Sequence, residues 1–134
     1  MNRWSRLSIV LVLVVFGLTA IQRNLASAGS PQASNSIHQG DLVLSGDNVT
    51  LISGLFQING SIVVRQNATL ILRDAVVNLT QDRDWQYDIR VEGQPGYRPS
   101  LVAENSIILA AGHSTSVSLT GNASATADDL VLEP

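Results

Sequence analysis

Apolar residues in this chain come in pairs two positions apart, the period that lines one face of a β-strand. The pattern is densest in residues 60–79, GSIVVRQNATLILRDAVVNL. There Ile62 and Val64, Leu70 and Leu72, and Val77 and Leu79 are separated only by short polar breaks such as Arg65-Gln66-Asn67 and Arg73-Asp74. Breaks that short leave no room for helices. Before this stretch come the pairs Leu42 and Leu44, Val49 and Leu51, and Phe56 and Ile58. After it come Ile89 and Val91, Leu101 and Ala103, Ile107 and Leu109, Val117 and Leu119, and Leu130 and Leu132. Gly, Asn, Asp or Ser sits in nearly every gap, as turns require.

Two all-β architectures accept many short strands. An antiparallel β-sandwich reverses direction through hairpins, usually at a spacing of about eight to twelve residues. From Val49 to Val77 the pairs step by seven, six, eight and seven residues, too tight for most hairpins. A parallel β-helix, in which each strand bends into the next, fits better. A coil of about 21 residues stacks Val49 under Leu70 and Phe56 under Val77, and Ile62 falls under Ile89 after an insertion. Leu101, Ile107 and Val117 form the next layer and Leu130 opens a fourth, so like stacks on like. The expectation is a right-handed parallel β-helix of about three to four coils over residues 41–134.

The phrases Asn48-Val-Thr-Leu, Asn59-Gly-Ser-Ile-Val-Val and Asn67-Ala-Thr-Leu-Ile-Leu resemble the rungs of secreted right-handed parallel β-helix proteins, the class of pectate-lyase-like enzymes and of archaeal and bacterial surface proteins. The resemblance covers roughly residues 41–132. It implies a fold and an extracellular setting, and carries no activity.

The start of the chain points the same way. Arg3 and Arg6 lead into an apolar run from Leu7 to Ile21, and Ala26-Ser27-Ala28 supplies small residues at minus three and minus one. That describes a signal helix over residues 1–28, cut after Ala28. The run is shorter than the roughly 20 residues of a spanning helix, and the rival reading is an uncleaved anchor, so a membrane enters only through the leader. Residues 29–40 read as a flexible polar lead. At the other end the chain stops one strand into a new layer. Either that strand is the cap, or the domain is the front of a longer one.

Removing the leader takes three arginines, leaving five against eleven carboxylates, or minus six (5 − 11). That balance argues against nucleic acid, which needs a basic face. With no cysteine, disulfides and zinc-thiolate sites are excluded.

Candidate chemistry gathers where the spacing breaks. Between Leu79 and Leu101 the pairs lie farther apart, and two insertions, TQDRDWQYD and EGQPGYRPS, flank the strand Ile89-Arg90-Val91. Loops on a rigid scaffold commonly carry sites. Trp85, Tyr87 and Tyr97, with Arg90 and Arg98, suit a glycan whose ring stacks on an aromatic face while charged groups bond its hydroxyls or a uronate. The plain alternative is aromatics folded back as cover, with solvated charges. Asp82, Asp84 and Asp88 offer oxygen ligands for calcium, although an EF-hand pattern is not met. A calcium-dependent polysaccharide lyase would need Arg90 or Arg98 as its base, and arginine is a poor one. A hydrolase could draw two carboxylates from Asp82, Asp84, Asp88 and Glu92. His38 and His113 read as solvent and turn residues.

Sequons begin at Asn48, Asn59, Asn67, Asn78 and Asn122. They fit N-glycosylation of a secreted protein. They fit equally a turn-plus-strand geometry, in which asparagine takes the left-handed turn position and threonine opens the strand. The positions alternating with the inward set include Val63, Ile71, Val76, Val102, Ile108 and Val131. So apolar an outer face suggests contact with another copy or another surface protein. The function expected is a structural, adhesive or glycan-contacting module without catalysis, with the lyase as the alternative.

Overall fold

Nine strands follow one another through residues 37–134, the part of the chain described by the computed structural model. They are β1 (Ile37–Gln39), β2 (Leu42–Leu44), β3 (Val49–Asn59), β4 (Ile62–Arg65), β5 (Thr69–Leu79), β6 (Ile89–Glu92), β7 (Ser100–Leu109), β8 (Val117–Thr120) and β9 (Ser124–Glu133). Each pairs in parallel with the strand two places on in the chain. The odd strands form one sheet, β1-β3-β5-β7-β9, and the even strands another, β2-β4-β6-β8. The described residues therefore wind into an all-β parallel solenoid of about four turns, and the antiparallel sandwich is excluded. The leader and the start of the polar lead, residues 1–36, lie outside the described residues.

The long odd strands bend midway, giving the coil three sides. At the bend Asp74, Asn105 and Asp129 have φ of 48°, 46° and 57°, and the register stacks them in one column. Short polar side chains tolerate this left-handed conformation because they bond locally. Here Asn105 Nδ2 donates to Asp74 Oδ1 at 2.7 Å, joining two coils. Beside it Arg73 Nε lies 2.7 Å from Glu104 Oε2. That pair is exposed, so it contributes little to stability.

The interior is a set of aliphatic ladders. Ile62 lies under Ile89, Leu70 under Leu101, and Phe56 under Val77 and then Ile108. All of these are almost wholly buried. Each such side chain contributes roughly 1.5–3 kcal/mol of transfer free energy, and in parallel register every rung protects the next.

Several positions differ from the alternation read along the chain. Val49 pairs with Thr69, so it is Thr50 that lies under Leu70, in a coil of 20 residues here. Thr50 and Ile52 face in, while Val49 and Leu51 face out. The first residue after this corner is outward in every coil (Val49, Thr69, Ser100, Ser124), and the apolar Val49 disguised that rule. The bend at Asn105 shifts the period by one, so Ile108 is buried and Ile107 and Leu109 are the outward residues. Val63 stands in an outward column between Val43 and Arg90 yet is 7% exposed. Its neighbour in that column, Arg90, has a buried Nε. The strands begin before residue 41, because β1 pairs with Gln57–Asn59. His38 packs near Phe56, ring centres 6.3 Å apart, instead of standing in solvent. The last strand begins at Ser124, six residues before Leu130.

Candidate functional site

Coil length locates the surface loops. The even sheet steps by 20, 27 and 28 residues (Leu42 to Ile62 to Ile89 to Val117). The odd sheet steps by 20, 31 and 24 (Val49 to Thr69 to Ser100 to Ser124). The additional residues lie in three loops. Loops 80–88 and 93–99 leave the two ends of β6, and loop 110–116 lies one coil above the first.

Loops 80–88 and 110–116 are fastened to each other. Gln81 is 4% exposed, and its Nε2 donates to Ala110 O at 3.3 Å and to Ser114 O at 2.9 Å. Its Oε1 accepts from the backbone N–H of Tyr87 at 3.0 Å. Trp85 N–H donates to Ser114 O, and Ser114 N–H donates to Asp84 Oδ1, both at 2.8 Å. His113 Nδ1 stands 3.6 Å from the same carboxylate oxygen. Thr115 Oγ1 donates to Tyr87 O at 2.8 Å. Pattern reading could not single out Gln81, because one buried amide at a loop start leaves no period. Loop 110–116 was also hidden, because the gap from Leu109 to Val117 resembles an ordinary step.

Held in that clasp, Trp85 is the most exposed large apolar side chain among the described residues, at 67%. Its φ of 60° is left-handed, a conformation that costs a non-glycine residue roughly 1–2 kcal/mol. A backbone fixed there without burying its indole presents that indole outward.

The other candidate residues divide into three groups. Tyr87 is partly buried against the core, and its hydroxyl donates to Asn59 Oδ1 at 2.8 Å, so it belongs to the scaffold. Arg90 lies between two carboxylates: its Nε is 3.1 Å from Asp88 Oδ1 and its guanidinium 3.6 Å from Glu92 Oε1. The Nε–H is not aligned on an acceptor, so the Asp88 contact is an ion pair without a formed hydrogen bond. Tyr97 and Arg98 are exposed in the loop at the opposite end of β6. Arg98 N–H donates to Asn67 Oδ1 at 3.1 Å.

Asp82, Asp84 and Asp88 do not share a point. Asp84 holds Ser114, Asp88 faces Arg90, and among the described residues no three acidic or histidine side chains are grouped to hold a metal ion.

The sequon asparagines also have structural roles. Asn67 Nδ2 donates to Asp47 Oδ1 at 2.9 Å, Asn59 Nδ2 to Gln39 Oε1 at 3.2 Å, and Asn48 Nδ2 to Ser45 O at 2.8 Å. None of the five takes the left-handed conformation. In that corner it falls on Gly46, Gln66 and Gly121, so the turn geometry explains the sequons less directly than expected. Asn122 is exposed in a turn, and Asn78 is half-buried on the outer side of β5.

A second surface is apolar. Leu55, Val76, Ile107 and Val131 form one outward column across four coils, with Leu55 and Val131 exposed and the middle two half-buried. Among the described residues no helix is long and apolar enough to cross a membrane. Comparison with family models, with curated proteins and with solved structures finds no match to this chain.

Proposed function

We propose that this chain is a secreted or cell-surface β-solenoid module with a structural, adhesive or glycan-contacting role, and that it meets its ligand at the loops flanking β6. The observation carrying the reading is Trp85, an exposed indole held in a left-handed conformation by a clasp between two coils. A backbone held in a sparsely populated region is a pointer to function, and an aromatic plane free on one face suits the apolar face of a sugar or a flat partner surface. The leader pattern and the rung resemblance support the extracellular address. The column Leu55, Val76, Ile107 and Val131 supplies an apolar strip for another surface protein or another copy.

Of the carboxylates that a calcium-dependent lyase would use, Asp84 holds loop 110–116 and Asp88 faces Arg90, which supports a contact role over catalysis. Among the sequons, Asn122 is the best placed for glycosylation, being exposed in a turn. Asn59 and Asn67 would each lose an amide bond between coils.

The test is the fluorescence of Trp85 in a chain carrying Trp4→Phe, titrated with calcium, polygalacturonate and neutral glycans while ultraviolet absorbance follows unsaturated sugar product. A saturable shift without product is expected. Product formation would overturn the non-catalytic reading.

A further inference from the structure

The outer side of the β6 coil carries Asp88, Arg90 and Glu92 at alternate positions in one row, and the loops before and after the strand hold Trp85 and Tyr97. From Asp88 to Glu92 the row runs about 13 Å, four steps at about 3.3 Å each. It has an aromatic side chain in the loop at either end, and both are exposed, Trp85 at 67% and Tyr97 at 39%. Its centre is an arginine flanked by two carboxylates at 3.1 and 3.6 Å. From this arrangement, and resting on the contact role proposed above, we infer that the ligand is a linear, uncharged oligosaccharide lying along β6.

The charge pattern selects the class. A uronate or sulfated sugar is recognised by a guanidinium free to make paired hydrogen bonds. Arg90 is not free. Its charge is balanced by Asp88 and Glu92, and with Asp82, Arg83 and Asp84 in the loop before the strand and Arg98 in the loop after it, residues 82–98 stand at minus one (three cations, four anions). The described residues together carry five arginines against eleven carboxylates. A polyanion approaching this surface meets like charge before it reaches the arginine. Hydroxyl groups meet no such barrier. A carboxylate accepts from them, a guanidinium donates to them, and the exposed rings offer stacking planes. The length of the row suits a chain of sugars better than a single one.

Isothermal titration calorimetry of the intact chain tests this with linear hexasaccharides of glucose, mannose and N-acetylglucosamine beside polygalacturonate. At least one uncharged hexasaccharide should bind and polygalacturonate should not. Trp85→Asn, whose side chain tolerates the left-handed backbone, should weaken binding about tenfold, the loss of one aromatic contact. Tyr97→Ala should weaken it a few-fold. The double variant Asp88→Asn, Glu92→Gln frees Arg90 and should bring polygalacturonate binding into range. Unaltered circular dichroism shows that each variant still folds. Binding of polygalacturonate alone, sensitive to Trp85→Asn, would overturn the inference and keep the contact surface. Silence toward every sugar would overturn both the inference and the glycan part of the proposed role.

Discussion

The lower coils, β2 to β5, and the coil begun by β6 have the same kind of interior and differ almost wholly outside it. In the lower coils the chain returns to register after 20 residues, and each corner is a few polar residues held by one or two coil-to-coil bonds, such as Asn67 to Asp47. In the β6 coil the return takes 27 or 31 residues, yet Ile89 and Leu101 still lie over Ile62 and Leu70, equally buried. The ladder fixes where strands go and leaves corner length open. Lengthening a loop raises its closure cost only slowly, so a solenoid gains surface without disturbing its core. The added loops then need their own fastening. Gln81 supplies it for loops 80–88 and 110–116.

If the ladder alone fixes the coil, its damage should dominate. Leu70→Ala leaves a cavity between rungs, with Thr50 below and Leu101 above. It should cost about 2–5 kcal/mol, read as a lowered denaturant midpoint. A loss below about 1 kcal/mol would mean that the coils hold together through their corners instead. The next largest effect should come from Gly121, where φ is 58° and a Cβ would collide with the backbone of Gly93 one coil below. Gly121→Ala combines that overlap with a left-handed conformation, and should cost about 1–3 kcal/mol in the same measurement. Gly46 has a similar φ of 73°, but a Cβ there would meet only Asn48 Nδ2, at an ordinary 3.8 Å, so Gly46→Ala should cost less and separates strain from collision.

The contrast also explains what could be read in advance. The lower coils announce themselves because their pairs recur at nearly the coil length, and the Phe56–Val77 and Ile62–Ile89 stacks follow from counting. Counting fails at bends. The left-handed Asn105 moves the inward position from Ile107 to Ile108, and nothing in the apolar run Ile107-Ile108-Leu109 tells the two apart. Within the site, Trp85 and the carboxylates were legible as residue types in long gaps. Their division of labour was not, because it depends on which loop lies above which: Asp84 serves Ser114, and Asp88 with Glu92 serves Arg90. Tyr87 could not be assigned to the scaffold before Asn59 was found beneath it.

Gln81 tests whether the added loops are fastened separately from the core. Gln81→Ala removes a buried amide and leaves Ala110 O, part of the bonding of Ser114 O, and Tyr87 N–H without it. The expected loss is about 1–3 kcal/mol. Its distribution matters more than its size. Amide hydrogen exchange should accelerate across residues 80–88 and 110–116 while β3 and β5 keep their protection. Equal acceleration in β5 would mean that the clasp supports the coil, and the division between the two regions would fail.

The smallest expected effect on stability is at Trp85, and its sign carries the argument. Glycine adopts φ near 60° freely, whereas tryptophan does so at roughly 1–2 kcal/mol. The indole is 67% exposed, so removing it forfeits little packing. Part of the relief is lost to glycine's greater freedom in the unfolded chain, by about 0.5–1 kcal/mol. Trp85→Gly should therefore leave stability unchanged or raise it by up to about 1 kcal/mol, measured by denaturant unfolding. A clear destabilisation would mean that the indole covers a coil, in which case the third coil resembles the lower ones and its loops are packing. A neutral or stabilised variant means the chain holds a bulky aromatic in a strained turn without structural return. Selection on a contact surface then accounts for the tryptophan, and the variant should bind its ligand about tenfold more weakly while keeping its fold.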